Sequence, residues 1–238
     1  MSKDKEKESL SFFSQEEKKF TRKDILKMGG VAALGLLVSS LPKKDAIASI
    51  KKLSGRRMAM VIDLNKCTGC HACSVSCKSE FDVPLGVWRS WVKVEEKGTF
   101  PHTRRLFLPK LCNHCENPPC KKVCPSGATK KRDDGVVWVD EKICIGCKLC
   151  IAACPYKARF SHPQKKVVNK CDFCVHRVDK GVVPSCVNTC APKARIFGDL
   201  NDSNSEVSKL VSRKAVQVLK PELGTEPHVF YIGAESLT

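Results

Sequence analysis

Aromatic and acidic side chains are both scarce in this sequence. Phe, Trp and Tyr make up 6% of the 238 residues, and 25 Asp and Glu stand against 42 Lys and Arg, which gives a formal net charge of +17. Such a balance is typical of proteins that bind nucleic acid or an anionic membrane surface. A base-stacking surface, however, needs aromatic residues among the basic ones, and no stretch of the chain has that pattern. The composition therefore argues against nucleic-acid binding.

The sequence also lacks the common signatures of catalysis. It contains no Ser/His/Asp arrangement, no phosphate-binding loop and no HExxH motif. Hydrophobic residues account for 42% of the chain, which excludes a disordered protein and leaves enough apolar surface for a folded core. We therefore interpret the chain as a folded protein without a recognisable catalytic motif, and an independent enzyme stays one of the alternatives.

No apolar run reaches the roughly 20 residues that a bilayer-spanning helix needs. The run from Met28 to Leu41 has 14 residues, a length typical of the apolar region of a signal peptide. It follows the basic block Thr21 to Lys27 and precedes a small-x-small sequence, Ala46 to Ala48, which is typical of a cleavage site. We predict that residues 1–48 are a signal peptide, with an ordinary buried helix as the alternative.

Cysteine is abundant, but only in the middle of the chain. All sixteen cysteines lie between Cys67 and Cys190 and form four sets of four, which we call quartets. The quartets are Cys67, Cys70, Cys73, Cys77; Cys112, Cys115, Cys120, Cys124; Cys144, Cys147, Cys150, Cys154; and Cys171, Cys174, Cys186, Cys190. Each closes with CxxxC, a spacing that puts two sulfurs one turn apart on a helix and so predicts a short helix at the end of each quartet.

Disulfides, zinc and iron–sulfur clusters all use cysteine. A disulfide framework gives no reason for a spacing that recurs four times, and structural zinc favours two CxxC pairs separated by a loop. A cubane cluster needs three sulfurs close around it, which CxxCxxC provides, while the fourth Cys of such a run binds the other cluster of a pair. The spacing therefore predicts four [4Fe–4S] clusters in two pairs, without selecting which quartets are paired.

A repeat supports this interpretation. Residues 63–70 and 140–147 align without gaps, and each segment follows a short apolar stretch. The strands predicted from such stretches are Met60–Ile62, Leu106–Leu108, Val136–Val139, Val167–Val168 and Arg195–Phe197.

Three motifs make the resemblance to a known family specific. They are LCNHCENPPCKKVCP from Leu111, CIGCKLCIAACPYKARF from Cys144, and the divided CDFCVHR and CVNTCAPKARIFGD between Cys171 and Asp199. With these motifs the chain resembles the four-cluster iron–sulfur subunits of molybdopterin oxidoreductase complexes, which include dimethyl sulfoxide, polysulfide and tetrathionate reductases and formate dehydrogenases. The tail from Leu219 to Tyr231 looks most like that of tetrathionate reductase iron–sulfur subunits.

The resemblance implies the ligand sets, because in this family the first quartet pairs with the fourth and the second with the third. The four implied sets are Cys67, Cys70, Cys73, Cys190; Cys171, Cys174, Cys186, Cys77; Cys112, Cys115, Cys120, Cys154; and Cys144, Cys147, Cys150, Cys124. The implied fold is α+β, with two ferredoxin-like di-cluster units and nested cysteine motifs. We expect a four-cluster domain over residues 49–200 and a C-terminal extension over 201–238 that packs on it.

The resemblance also implies partners and a location. The expected function is electron relay from an integral membrane quinol-oxidising subunit to a molybdopterin-containing catalytic subunit, for tetrathionate reduction. Alternatives are the iron–sulfur subunit of another complex (polysulfide, thiosulfate or dimethyl sulfoxide reductase, or formate dehydrogenase) and a free exported ferredoxin. The block Thr21 to Lys27 resembles the twin-arginine export motif, with Lys23 in place of the second arginine. Because clusters are assembled on folded protein inside the cell, export in the folded state, to the periplasm or the outer face of the cytoplasmic membrane, is the expectation.

Several other residues near the quartets invite a functional interpretation. His71, His114 and His176 lie inside the motifs, but every quartet is complete, so we expect structural or hydrogen-bonding roles for them. Lysines that flank the quartets either favour reduction through their charge or are simply solvated; they are Lys110, Lys121, Lys122, Lys142, Lys148, Lys157 and Lys170.

Overall fold

The computed structural model describes residues 55–234, so the predicted signal peptide lies outside the described residues. The strands are β1 (Met58–Asp63), β2 (Trp91–Thr99), β3 (His102–Lys110), β4 (Thr129–Lys131), β5 (Val137–Val139), β6 (Arg159–Ser161), β7 (Val168–Lys170), β8 (Arg195–Asp199) and β9 (Val229–Ile232). The helices are α1 (Ala72–Glu80), α2 (Pro119–Lys122), α3 (Leu149–Ala152), α4 (Val175–Val178), α5 (Ser185–Asn188) and α6 (Glu206–Arg213), and a 3₁₀ turn covers Pro221–Leu223. No helix in this part of the chain has the length and apolarity to cross a bilayer.

A three-stranded sheet holds the two ends of the described chain together. Its central strand, β1, pairs antiparallel with β8 and parallel with β9. Successive side chains of a strand point to opposite faces. Met60 and Ile62 accordingly enter the core that contains the cysteines, whereas Ala59 and Val61 pack in a second core that also includes Val207 of α6. Because β8 follows the fourth quartet and β1 precedes the first, this sheet brings those two quartets together.

Two antiparallel hairpins lie between consecutive quartets further along the chain. β4 and β5 pair between the second and third quartets, and β6 and β7 pair between the third and fourth. A longer hairpin, β2–β3, precedes the second quartet. The five predicted strands are confirmed, since each lies in or overlaps one of the observed strands β1, β3, β5, β7 and β8.

The helices at the quartets are shorter than the CxxxC spacing predicts. α1 contains both Cys73 and Cys77, but α2, α3 and α5 each end two residues before the last cysteine of their quartet. In the second and third quartets a proline directly follows the last cysteine, and a residue before proline is disfavoured in the helical conformation. The last cysteine therefore leaves its helix in three of the four quartets.

A buried histidine in the C-terminal region makes stability depend on pH. His228 Nε2 lies 3.0 Å from Glu116 Oε2 and 3.1 Å from Arg57 Nε. Burial, reinforced by the charge of Arg57, lowers the pKa of His228 to about 4. The unfolded chain has an ordinary histidine pKa of about 6.5, so it binds a proton that the folded chain excludes. The stabilisation is complete above about pH 6.5 and is lost as pH falls towards 4.

We therefore expect acidification from about pH 7 to about pH 5 to cost the protein about 2 kcal/mol of stability through His228. The variant His228→Gln should lose less stability over this range, and His102→Gln, an exposed position on β3, is the matched control. The measurement is the midpoint of anaerobic thermal unfolding at both pH values. An identical acid shift in His228→Gln and the wild type would contradict the assignment.

Candidate metal centres

The four quartets share one backbone feature at the residue before the second cysteine. Gly69, His114, Gly146 and Phe173 all have positive φ angles, of 70°, 44°, 68° and 57°. Left-handed residues next to right-handed ones can turn successive N–H groups towards a common centre and make an anion-binding concavity. Loops of this type suit the anionic sulfurs of a metal cluster.

In the loop of the third quartet, Gly146 is required for a second reason, which is the space around it. A Cβ added to Gly146 would lie 2.3 Å from the backbone oxygen of Lys166, in addition to occupying the left-handed region at φ 68°. At Gly181, by contrast, the φ of 77° is similar but no atom lies within 4 Å of an added Cβ. Both positions thus have the backbone strain of a positive φ, but only at Gly146 would an added side chain also overlap the backbone of Lys166.

We expect Gly146→Ala to lose bound iron from the third loop, whereas Gly181→Ala should keep its iron. The control variant Gly181→Ala should lose only the roughly 1–2 kcal/mol of stability that a non-glycine residue in the left-handed region costs. Gly146→Ala must in addition displace the Lys166 backbone. The measurement is iron per chain after anaerobic purification. Full iron retention in Gly146→Ala would show that the loop tolerates the displacement.

One cavity gathers thiols from the first and fourth quartets. Cys67, Cys70, Cys73 and Cys190 all line it, together with apolar neighbours such as Val92. Burial raises the pKa of the Cys67 thiol, and the nearby thiols of Cys73 and Cys190 add to the effect. The last cysteine of the fourth quartet therefore lies with the first three of the first quartet.

A second cavity gathers thiols from the second and third quartets. It is lined by Cys112, Cys115, Cys120 and Cys154, with Tyr156 at its wall. Burial raises the pKa of Cys115 to about 12, and the other three thiols each contribute to the shift. The arrangement repeats that of the first cavity, with the last cysteine of one quartet joined to three of another.

The last cysteine of the first quartet lies beside the fourth quartet. Burial raises the pKa of Cys77 to about 12, with a further contribution from Cys186. Burial also raises the pKa of Cys174 to about 12, again with contributions from Cys186 and Cys77. Cys171 is fully buried, and its pKa is raised by burial and then by Cys77 and Cys186. These thiols form a third group.

The remaining group joins the second and third quartets. Burial raises the pKa of Cys150, and the thiols of Cys124 and Cys144 contribute to the shift. Helix packing follows the same division, since α1 packs against α5 and α2 packs against α3. Cys147, the remaining member of the third quartet, is exposed at the surface.

The groups differ in their exposure. Cys70 and Cys147 are exposed, and they belong to two different groups. In contrast, Cys77, Cys171, Cys174 and Cys186 are all buried, as are Cys112, Cys115 and Cys120. Two thiol groups therefore reach the surface, one lies wholly in the interior, and the fourth is interior except for the half-buried Cys154.

The donor set fits iron–sulfur clusters better than the alternatives. All sixteen cysteines are free thiols. Within residues 55–234, no three His, Cys, Asp or Glu side chains gather closely enough to hold a single metal ion; the thiols line cavities instead. A four-iron cluster needs such an arrangement, because its ligands stand at separate corners of the cube.

A buried histidine nitrogen without a hydrogen-bond partner in the described residues also favours iron–sulfur clusters. His114 is completely buried, and its Nδ1 accepts a hydrogen bond of 3.1 Å from the Val137 N–H. The ring proton is therefore on Nε2, for which the described residues provide no partner. A buried donor without an acceptor is costly. A cluster sulfur bound by the neighbouring cysteines would satisfy it.

Two of the three motif histidines have structural side-chain contacts, as the sequence predicts. His114 stacks on Phe173 with ring centroids 3.7 Å apart, and these residues occupy equivalent positions in the second and fourth quartets. His176 Nε2 lies 2.7 Å from Glu80 Oε1. His71 is exposed and directly precedes α1, where its backbone oxygen accepts a hydrogen bond from the Ser74 N–H at 2.8 Å.

Two of the flanking lysines are withdrawn from solvent. Lys110 is half-buried. Lys170 is buried, and its Nζ donates to the carbonyl oxygens of Val137 and Cys171.

The sequence motifs did not indicate three buried arginines, Arg89, Arg159 and Arg195. Arg89 pairs with Asp172 at 3.0 Å. For Arg159 and Arg195, a signal that could have found them is the Lys-Ala-Arg triplet, which occurs at the same distance after Cys154 and Cys190.

Comparison with known proteins agrees with this site. Residues 103–200, which contain the second, third and fourth quartets, match the family model of the 4Fe-4S dicluster domain. A tetrathionate reductase subunit of Salmonella typhimurium is 44% identical, over 90% of this chain and 89% of that protein. A selenate reductase subunit of Mesobacillus selenatarsenatis is 37% identical, over 92% of this chain and 99% of that protein. A sulfite dehydrogenase subunit of Allochromatium vinosum is 44% identical, over 74% and 82%.

The similarity to the first two relatives extends over nine-tenths of the chain, far beyond the cysteine motifs. The mixed α/β fold is that of a ferredoxin-like protein, and its cofactors are [4Fe–4S] clusters. The chain therefore belongs to the iron–sulfur electron-transfer subunits of the molybdopterin oxidoreductase complexes, the family that contains the Salmonella tetrathionate reductase subunit.

Proposed function

We propose that this chain holds four [4Fe–4S] clusters in two nested pairs and relays electrons from a membrane quinol-oxidising subunit to a molybdopterin catalytic subunit. The ligand sets of one pair are Cys67, Cys70, Cys73, Cys190 and Cys171, Cys174, Cys186, Cys77. Those of the other pair are Cys112, Cys115, Cys120, Cys154 and Cys144, Cys147, Cys150, Cys124. The two cavities, each lined by one complete set, support this pairing.

The observation that carries the relay is the exposure of the thiol groups. The sets that contain Cys70 and Cys147 reach the surface, whereas the cysteines of the two other sets are buried except for the half-buried Cys154. When bound, each [4Fe–4S] cluster supplies reversible one-electron transfer. Two sets at the surface and two largely interior sets suit a path that enters at one partner and leaves at another. The His114–Phe173 stack lies between loops of the two interior sets.

Apolar side chains surround one of the proposed ends. Ile145 and Leu149, on either side of Cys147, are 68% and 51% exposed. Apolar surface of this kind is typical of a protein–protein contact. It supports the docking of another protein of the complex where the ligand set of Cys147 meets the surface.

Tetrathionate is the proposed terminal substrate. Similarity to the tetrathionate reductase subunit over most of the chain supports it. The equal identity to the sulfite dehydrogenase subunit, over a shorter part of the chain, favours sulfur oxyanion chemistry more generally. In the proposed reaction a quinol releases two electrons and two protons, and tetrathionate accepts the two electrons as its central S–S bond breaks to give two thiosulfates.

The experiment is anaerobic isolation of the native complex, followed by metal analysis and assay. We expect about sixteen iron and sixteen sulfide per chain, co-purified molybdopterin protein with molybdenum or tungsten, and quinol-dependent reduction of tetrathionate in preference to thiosulfate or polysulfide. Zinc in place of iron would refute the cofactor assignment. Full reductase activity of the purified chain alone would replace the relay with an enzyme.

We also propose that residues 1–48 are a twin-arginine-type signal, that residues 49–200 form the four-cluster domain, and that the chain works in the periplasm or at the outer face of the cytoplasmic membrane. Pairing of β9 with β1 supports a C-terminal extension over 201–238 that packs on that domain. The test is fusion of residues 1–48 to a reporter that functions only after folded export. Export unchanged by replacing Arg22 and Lys23 with glutamine would refute the signal.

A further inference from the structure

Two arginines follow a cysteine quartet at the same spacing. Arg159 is the fifth residue after Cys154 and Arg195 is the fifth after Cys190, and each ends a Lys-Ala-Arg triplet. Each is also the first residue of its strand, β6 or β8. Each side chain therefore starts at the same sequence position relative to the quartet before it, and at the first residue of the strand that follows.

Arg159 lies among thiols of two ligand sets. It is only 5% exposed, and its Nη2 donates to Cys120 Sγ at 2.9 Å, while Nη1 donates to Thr129 Oγ1 at 3.2 Å. Burial alone would lower the pKa of Arg159, but Cys120, Cys112 and Cys150 raise it. Cys120 and Cys112 belong to one proposed set, whereas Cys150 belongs to its partner set.

Arg195 lines the cavity of Cys67, Cys70, Cys73 and Cys190, and so lies beside the other proposed pair. It is 3% exposed, its Nη2 donates to Ser90 Oγ at 3.0 Å, and its Nη1 has no hydrogen-bond partner in the described residues. Burial alone would lower the pKa of Arg195, but Cys186 and then Cys73 raise it. These two cysteines again belong to the two different sets of one proposed pair.

Neither guanidinium forms an ion pair with a carboxylate in the described residues. A buried charge without a counter-charge is strongly unfavourable. The hydroxyl groups of Thr129 and Ser90 accept hydrogen bonds but carry no charge. The negative charge that stabilises each arginine must therefore come from cysteine thiolates and the clusters they hold.

We propose that Arg159 and Arg195 set the reduction potentials of the clusters, with one arginine acting on both clusters of each nested pair. The inference rests on the ligand sets proposed above. Reduction of a four-iron cluster adds one electron and no proton, and takes its charge with four thiolates from about −2 to about −3. A fixed positive charge stabilises the reduced form more than the oxidised form. Loss of that charge should make both clusters of the pair harder to reduce.

The test is a redox titration of the complete complex with dithionite and mediators, followed by EPR. We expect Arg159→Gln to lower the reduction equilibrium constant of both clusters held by the second and third quartets at least tenfold, which is about 59 mV for a one-electron couple. Arg195→Gln should do the same to the other pair. Each variant should leave the potentials of the pair it does not touch unchanged.

Matched variants separate charge from packing. Arg159→Lys keeps the charge and should keep the potentials within a few-fold of the wild type. Arg132→Gln removes an arginine that pairs with Asp134 and Asp179 and should move no potential. If Arg159→Gln loses iron, the redox titration of Arg159→Lys becomes the test, and potentials within a few-fold of the wild type are the expected result. Iron loss from Arg159→Lys as well would make the arginine a structural element and overturn the proposal.

Two further outcomes would overturn the inference. One is unchanged potentials in Arg159→Gln and Arg195→Gln at full iron content; the other is an equal shift in both pairs from either variant. Failure of the proposed function has a different signature, because it would show as a wild-type iron content unlike that of four clusters or as signals that do not group by the proposed sets.

Discussion

Replacing Cys147 with serine is expected to stop quinol-driven turnover of the assembled complex while leaving turnover with an artificial donor largely intact. Cys147 is one of two exposed cysteines and belongs to a proposed set at the surface. Without this thiolate, electrons lose their path through that end of the chain. The fall should exceed the roughly 100-fold that removal of an outer-shell partner of a metal site costs, because a direct ligand is removed. An artificial donor that reaches the catalytic subunit directly does not need the path.

The control for this prediction is Lys142→Ser, which introduces the same residue at an exposed position near the third quartet without removing a thiol. It should keep its iron and both activities. Quinol-driven turnover at the wild-type rate in Cys147→Ser, with a cluster lost by iron analysis and EPR, would show that this cluster lies off the path. Equal loss of both activities would indicate that the complex had failed to assemble.

Much of the local structure could be predicted from the sequence. The gap-free repeat of residues 63–70 and 140–147 predicts two equivalent loops, and Gly69 and Gly146 have nearly the same φ of 70° and 68°. Short apolar stretches beside the quartets predict strands because the cores on both sides of them are apolar. These signals are local, because the loops and short strands that they predict depend mainly on residues that are neighbours in the sequence.

The hairpin β2–β3 shows where such signals fail. Only Leu106–Leu108 is apolar enough to indicate a strand, yet both strands run for nine residues. Most of β2 beyond Val92 and the first half of β3 are exposed or half-buried and rich in Lys, Glu and Arg. Their pairing is stabilised by backbone hydrogen bonds and contacts such as Arg105 with Glu96, which apolar periodicity does not report.

Pairing of the quartets and the buried arginines were beyond local reasoning for a different reason. CxxCxxCxxxC has the same spacing whichever quartet supplies the fourth ligand, so only long-range contacts such as β1 with β8 distinguish the partners. Arginine in a sequence is by default a surface residue. The Lys-Ala-Arg triplet marks the equivalent positions of Arg159 and Arg195, but their burial depends on thiols from distant segments, which the triplet does not report.

The nested arrangement predicts which ligand substitutions give the same spectrum. Cys190→Ser should remove the EPR signal that Cys70→Ser removes, because both thiols line one cavity. Cys77→Ser should instead match Cys174→Ser, since Cys77 lies with the buried thiols of the fourth quartet. Each variant should lose up to about four iron per chain, or convert one cluster to a three-iron form that is recognisable by EPR. The comparison uses the complete complex, with iron content measured alongside each spectrum.

A contiguous arrangement, with each quartet holding its own cluster, predicts the opposite grouping. In that case Cys190→Ser would match Cys174→Ser, and Cys77→Ser would match Cys70→Ser. The four variants therefore act as controls for one another, because each introduces the same serine and removes one thiol. Observation of the contiguous grouping would overturn the nested ligand sets even if the iron content were that of four clusters. The contact of α1 with α5 favours the nested grouping, because α1 contains Cys77 and α5 contains Cys186.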